Sequence, residues 1–205
     1  APLLTLAISD VPRDDLSVIA SGPTVADPST FEDALRIITK YDISEPKSVI
    51  KHLENATDET PKPGDSRLQN VENHLIATPK QSLRAAAQAV SKAGMTPLML
   101  GDSLEGESRD TGKIHSETAL QIQKNSNPVS PPAVILSGGE TSVTVKGSGR
   151  GGPNTEFMLS LLQELRGQDG IWAIACDTDG IDGTEDNAGA FISPESFKKS
   201  EELGL

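Results

Sequence analysis

The sequence predicts a doubly wound α/β fold, a mainly parallel sheet with flanking helices, and three observations carry that prediction. Apolar runs of strand length alternate with helix-periodic segments, the pattern left by βαβ construction. Hydrophobic residues make up 35% of the 205 residues and aromatics only 3%, which suits a core of Ala, Leu, Ile and Val. Polar or glycine-rich loops follow the expected strands at their carboxyl ends, where open α/β sheets bind ligands.

Residues 3–8, Leu-Leu-Thr-Leu-Ala-Ile, read as a buried strand. The next helix starts at Ser29, which with Glu32 forms a capping box ahead of Phe31, Ala34, Leu35 and Ile38. The long loop between them is the kind that is functional or mobile in a compact domain. Pro46 suits the first turn of a second helix bearing Val49, Ile50 and Leu53, and residues 55–70 form a polar surface loop. A βα unit follows: strand 74–77, Thr78 as N-cap, Pro79 at the first helical position, Leu83, Ala86, Ala87 and Val90 on one face, Gly94 as the stop, and strand 96–100. A helix over 109–124 leads to the Pro- and Ser-rich spacer 125–132, where the sequence places a domain boundary. Residues 133–136 form a buried strand and 143–145 a half-exposed one. A helix over 155–165 and a strand over 171–175 complete the pattern.

The net charge of −12 repels phosphate backbones, so nucleic-acid binding is not expected and the partners should be small molecules. One cysteine, Cys176, allows no internal disulfide and no structural zinc site. No apolar run reaches the length of a membrane span, and the composition suits a cytoplasmic chain. A mitochondrial location stays open should a targeting segment lie upstream. The first residue is not Met and the C-terminal residues stop within a helical pattern, so the chain is expected to be a piece of a longer protein.

Four loops could carry chemistry. They are Ser9-Asp10 with its continuation to Ser21-Gly22-Pro23-Thr24, then Gly101-Asp102-Ser103, Ser137-Gly138-Gly139-Glu140-Thr141, and Asp177-Thr178-Asp179-Gly180-Ile181-Asp182-Gly183. Backbone N–H groups of the third can form an anion nest, with the Thr141 hydroxyl beside it and Glu140 toward a metal or ribose; a tight turn between strands is the alternative. Gly147-Ser148-Gly149-Arg150-Gly151-Gly152 is denser in glycine than a turn needs, and Arg150 offers a planar guanidinium to phosphate or carboxylate. Asn154 and Glu156 follow at a helix start, which favours bound anions or a simple N-cap. Asp177, Asp179, Asp182 and Asp186 crowd one loop, where Mg²⁺ would relieve their repulsion and a solvated turn is the alternative. Ile181, Asp182 and Ala188 occupy positions that exclude an EF-hand. No Walker A, nucleophile elbow or zinc-protease motif occurs, and His52, His74 and His115 read as surface or packing residues. Gly147-x-Gly149-x-x-Gly152 matches the dinucleotide fingerprint and supports a rival reading, although Arg150 sits inside the turn and the segment before it alternates.

Taken together, Leu6-Ala7-Ile8-Ser9-Asp10-Val11-Pro12, Ile19-Ala20-Ser21-Gly22-Pro23-Thr24, Leu136 to Thr141, Gly149-Arg150-Gly151-Gly152 with Asn154, Glu156 and Phe157, and Asp177 to Gly183 with Ala188-Gly189-Ala190 resemble the glycerate 2-kinase family that carries a MOFRL domain. Some of its members are labelled hydroxypyruvate reductase. The resemblance implies two lobes: residues 1–130 as the remainder of a Rossmann-like N-terminal kinase domain, and residues 131–205 as a smaller α/β MOFRL domain, incomplete at its C-terminal end. It implies transfer of the ATP γ-phosphoryl group to D-glycerate with Mg²⁺. Arg150 and Asp179 would be catalytic, Asp10, Ser21, Gly22, Asn154 and Glu156 would bind substrate, and Asp179 and Asp182 would hold the metal. Ser137, Gly138, Gly139, Glu140, Thr141, Gly151 and Gly152 would bind the nucleotide. The partners implied are glycerate and nucleotide, with no nucleic acid or membrane, and a homodimer is compatible. Two departures stand out, Pro153 for the family's Arg and Thr155 for its Gln. An incomplete N-terminal lobe predicts that these residues alone turn over little. The alternatives are an NAD(P)H-dependent hydroxypyruvate reductase and a non-catalytic remnant that binds a ligand or partner.

Overall fold

A computed structural model describes all 205 residues, Ala1–Leu205. It is a mixed α/β structure that divides into two compact units, Ala1–Thr78 and Pro79–Leu205. The spacer 125–132 lies within the second.

In the first unit, β1 (Leu3–Ile8) pairs in parallel with β2 (Val71–Ala77), with an irregularity at Ala7/Ile8. The expectation of a buried β1 is corrected, because Leu4, Leu6 and Ile8 share one face of the strand and all stay exposed. Helices α1 (Phe31–Lys40) and α2 (Lys47–Asn55) pack on each other, and the Phe31 and His52 rings meet edge-on. The capping box belongs to Thr30 and Asp33, one residue beyond the expected pair. Thr30 Oγ1 accepts from Asp33 N (3.2 Å), and the Asp33 carboxylate accepts from Thr30 N (2.8 Å).

In the second unit, α3 (Pro79–Lys92) covers a parallel pair, β3 (Thr96–Glu107) and β4 (Ala133–Ser142), and α4 (Ser108–Asn125) connects the two strands. Both strands run longer than the sequence suggested. Gly101-Asp102-Ser103 is not a loop: β3 passes through it with two register shifts. Ser137 to Thr141 is likewise neither a nest-shaped loop nor a tight turn, but the second half of β4. Gly139 sits there at φ 148° against the backbone of its pairing neighbour Leu104, where no side chain fits. Residues 143–145 form no strand, and Thr144 instead donates its N–H and hydroxyl to the Glu107 carboxylate.

Helix α5 (Pro153–Leu165) brings Met158, Leu161 and Leu165 onto Ile192, the centre of the main apolar cluster. Ile192 ends β6 (Gly189–Ile192), which pairs antiparallel with β5 (Ala173–Cys176), ahead of α6 (Pro194–Glu202). Strand β6 was not foreseen. No helix is long and apolar enough to cross a membrane.

Candidate functional site

The start of α5 organises the second unit's polar residues. Its first N–H groups have no partner within the helix, and the side chain that meets them comes from the loop after β5. Asp182, fully buried, accepts from Asn154 N (2.8 Å), Asn154 Nδ2 (3.2 Å) and Thr155 N (2.8 Å). Burial pushes its pKa up, but the donors of Asn154 and Thr155 outweigh that and hold it below the ordinary 3.8. Asp182, expected to hold a metal, here caps α5 with its carboxylate.

This cap clamps the glycine loop to the acidic loop. A Cβ on Gly152 would lie 2.6 Å from the Asp182 carboxyl carbon, and one on Gly183 would lie 2.6 Å from the Gly151 carbonyl oxygen. Only glycines permit that approach. At the rim, Arg150 Nε donates to Glu185 Oε1 (2.9 Å) while the Arg150 side chain stays 79% exposed, so its guanidinium remains open to solvent and ligand. Pro153 and Thr155, the two departures from the family string, serve the helix start. Proline suits the first helical turn, and Thr155 Oγ1 accepts from Gly152 N (2.8 Å).

Of the remaining aspartates of the acidic loop, Asp179 and Asp186 are exposed and Asp177 is half-buried. Asp179 Oδ1 accepts from Ile181 N (2.9 Å), and Asp177 Oδ1 from Asp179 N (3.2 Å). No three His, Cys, Asp or Glu side chains gather into a metal cluster. The loop offers exposed carboxylates at Asp179 and Asp186, either of which could supply one ligand to a cation such as Mg²⁺. This set does not fit an all-protein cage.

The far half of β4 is fixed to α4. Ser137 Oγ lies 2.9 Å from His115 Nε2, and Ser108 Oγ donates to Thr141 Oγ1 (2.7 Å). A Cβ on Gly138 would meet Leu83 of α3 at 3.5 Å, and Glu140 is exposed near the strand's end. Glu156 lies half-buried in the first turn of α5, beside Asn154. Sequence reasoning missed Ser108, His115 and Glu185. The first two were findable, since Ser108, Gly112, His115 and Ser116 recur at helical spacing and are the buried residues of α4's first half.

Asp10, Ser21 and Gly22 belong to the first unit. Asp10 is exposed just past β1. Ser21 and Gly22 border a cleft of about 360 Å³ with Ser17, Val18, Asp27 and Ser29. Ala20 (φ 49°) and Ser21 (φ 64°) are left-handed there, and Gly22 (φ 61°) turns against the Ser17 carbonyl. Left-handed non-glycine backbone of this kind clusters at binding sites.

Residues 133–205 match the MOFRL family, and residues 1–54 match a domain of unknown function, DUF4147. A relative from Agrobacterium vitis, provisionally named a hydroxypyruvate reductase, is 52% identical over 100% of this chain and 46% of its own length. The glycerate 2-kinase of Pyrococcus horikoshii is 41% identical over 98% of this chain and 47% of its own. The crystal structure of a Thermotoga maritima glycerate kinase aligns with a TM-score of 0.81 at 36% identity, covering 100% of this chain and 48% of that one. The chain spans about half the length of the curated relatives it matches.

Proposed function

We propose that this chain, which belongs with the MOFRL-containing glycerate 2-kinases, supplies site residues for ATP-dependent phosphorylation of the 2-hydroxyl of D-glycerate. The observation that carries the reading is the clamp at α5, which sets the Arg150 guanidinium and the Asp179 loop on adjoining segments. A cation beside a carboxylate loop is the pairing that phosphoryl transfer uses, since that reaction proceeds by positioning and charge neutralisation.

Arg150 neutralises charge on the transferred phosphoryl group, and its exposed guanidinium is free to do so. Asp179 holds Mg²⁺, which when bound would neutralise nucleotide phosphate charge. Asp182 does not touch the ligand. It fixes the α5 N-terminus, so that Asn154 and Glu156 present a constant edge toward substrate. Ser137, Gly138, Gly139, Glu140 and Thr141, with Gly151 and Gly152, line the nucleotide side. Within the first unit, Asp10, Ser21 and Gly22 are the candidates for binding substrate. The setting is cytoplasmic, with no nucleic acid and no membrane as partner.

The names of some relatives keep hydroxypyruvate reduction as the second reading. Structurally the dinucleotide fingerprint lacks its context: β4 ends at Ser142, and residues 143–152 form no strand leading into the glycines. The two readings separate in one assay pair on the protein expressed at its full natural length. ATP-dependent formation of 2-phosphoglycerate from D-glycerate supports the kinase. NADH oxidation with hydroxypyruvate and no phosphorylated product would overturn it.

A further inference from the structure

His115 is 6% exposed, and both of its ring nitrogens are engaged. It follows Gly112, where α4 packs tightly on α5. At Gly112 an added Cβ would lie 2.7 Å from the Phe157 carbonyl oxygen and 2.9 Å from Ser160 Cβ, so only glycine allows the approach. The His115 ring then stands edge-on to Phe157, with centroids 5.0 Å apart and planes at 81°. Packing thus fixes the ring, and its hydrogen bonds fix its tautomer.

Nδ1 lies 2.8 Å from the Thr111 carbonyl oxygen, which can only accept, so Nδ1 carries a proton. Burial holds the imidazole pKa below its usual 6.5, which keeps the ring neutral near neutral pH. Nε2 is therefore a bare lone pair, and Ser137 Oγ, 2.9 Å away, must donate to it. That bond uses the only proton of the Ser137 hydroxyl. Its lone pairs remain for whatever meets the half-buried side chain.

We propose that His115 is a positioning residue: by accepting the Ser137 hydroxyl's hydrogen bond it fixes Ser137 as a pure acceptor, facing a ligand hydroxyl, amine or cation and not a phosphate oxygen. The inference rests on the reading of β4's far half as a nucleotide-binding segment, and it sharpens that reading. The part of Mg·ATP that meets Ser137 is then a sugar hydroxyl, the adenine amine or the metal. Phosphate contacts fall to the neighbouring backbone and to Arg150.

Two experiments test it. In the 205-residue chain at neutral pH, ¹⁵N NMR of His115 should show a pyrrole-type Nδ1 and a pyridine-type Nε2, and Ser137→Ala should move chiefly the Nε2 resonance. A pyrrole-type Nε2 reverses the hydrogen bond and overturns the proposal, whatever the protein catalyses. In the full natural-length protein, His115→Phe keeps a ring against Phe157 but removes the acceptor. Its KM for Mg·ATP should rise about 3- to 10-fold, the loss of one neutral hydrogen bond, with kcat within about twofold. Ser137→Ala should match it, and the double variant should be no worse than either, because the pair acts as one unit. An unchanged KM in a folded His115→Phe, with Ser137→Ala impaired, overturns the proposal alone. An unchanged KM in Ser137→Ala overturns it together with Ser137's place in the site. Should His115→Phe not fold, the tautomer and the Ser137→Ala result decide.

Discussion

Replacing Asp182 by Ala removes three hydrogen bonds at once, from Asn154 N, Asn154 Nδ2 and Thr155 N. Loss of a helix cap costs about 0.5–2 kcal/mol. Here the cap is fully buried, so the two backbone N–H groups are left without water as a substitute, at about 1–3 kcal/mol each. The two costs overlap, and the expected loss is about 2–4 kcal/mol. In a chain of this length each kcal/mol moves Tm by about 2–4 °C, so Tm should fall by about 5–15 °C. Circular dichroism melts of wild type and Asp182→Ala, at neutral pH and without ligand, give the number directly. The dependence on pH follows from linkage. Asp182 has a folded pKa below its unfolded 3.8, so its contribution is complete above that value and is lost as pH falls through the folded one. The advantage of wild type over Asp182→Asn should accordingly hold at neutral pH and shrink below about pH 4. A Tm within about 1 °C of wild type in Asp182→Ala, or an advantage that grows on acidification, would refute the capping role.

Gly152→Ala forces a methyl group to within 2.6 Å of the Asp182 carboxyl carbon, and melts should show a loss of about 1–3 kcal/mol; an unchanged Tm would mean the clamp is not tight. Arg150→Ala should leave Tm nearly unchanged, because an exposed ion pair such as that with Glu185 is worth about 0–1 kcal/mol. Turnover of the full natural-length protein should meanwhile fall by about 100-fold, and a near-normal rate would remove Arg150 from the chemistry. Asp179→Ala should raise the Mg²⁺ concentration needed for half-maximal turnover without lowering Tm, since the side chain is exposed. A Tm loss like that of Asp182→Ala, with Mg²⁺ dependence unchanged, would exchange the roles given to these two carboxylates.

Helix α3 was legible because its punctuation is local: Pro79 presets the first turn, and Gly94, at φ 77°, takes the left-handed stop. The start of α1 was legible only to within a residue. Ser29 with Glu32 and Thr30 with Asp33 both satisfy the capping pattern, and the side chain that reaches back is Asp33. Alternation at 143–145 suggested a strand, but alternation cannot supply a pairing partner, and Thr144 bonds to Glu107 instead. Strand β6 escaped for the opposite reason. Its four residues gain their conformation from pairing with β5 across the acidic loop. At the site, the glycines and Arg150 stood out because their chemistry is in their type. For Asp182, type and charge suggested a metal, while the cap it makes depends on a helix start 28 residues earlier in the chain. His115 was passed over because a lone histidine is usually packing. Only the geometry of Thr111 and Ser137 around it shows what its ring does.

The kinase reading is tested most directly by incubating the full natural-length protein with D-glycerate, ATP and Mg²⁺ and identifying the phosphorylated product. The expected product is 2-phosphoglycerate, formed in step with ADP and nearly abolished by Arg150→Ala in a protein that still melts like wild type. No phosphorylated glycerate, or NADH-dependent reduction of hydroxypyruvate in its place, would contradict it.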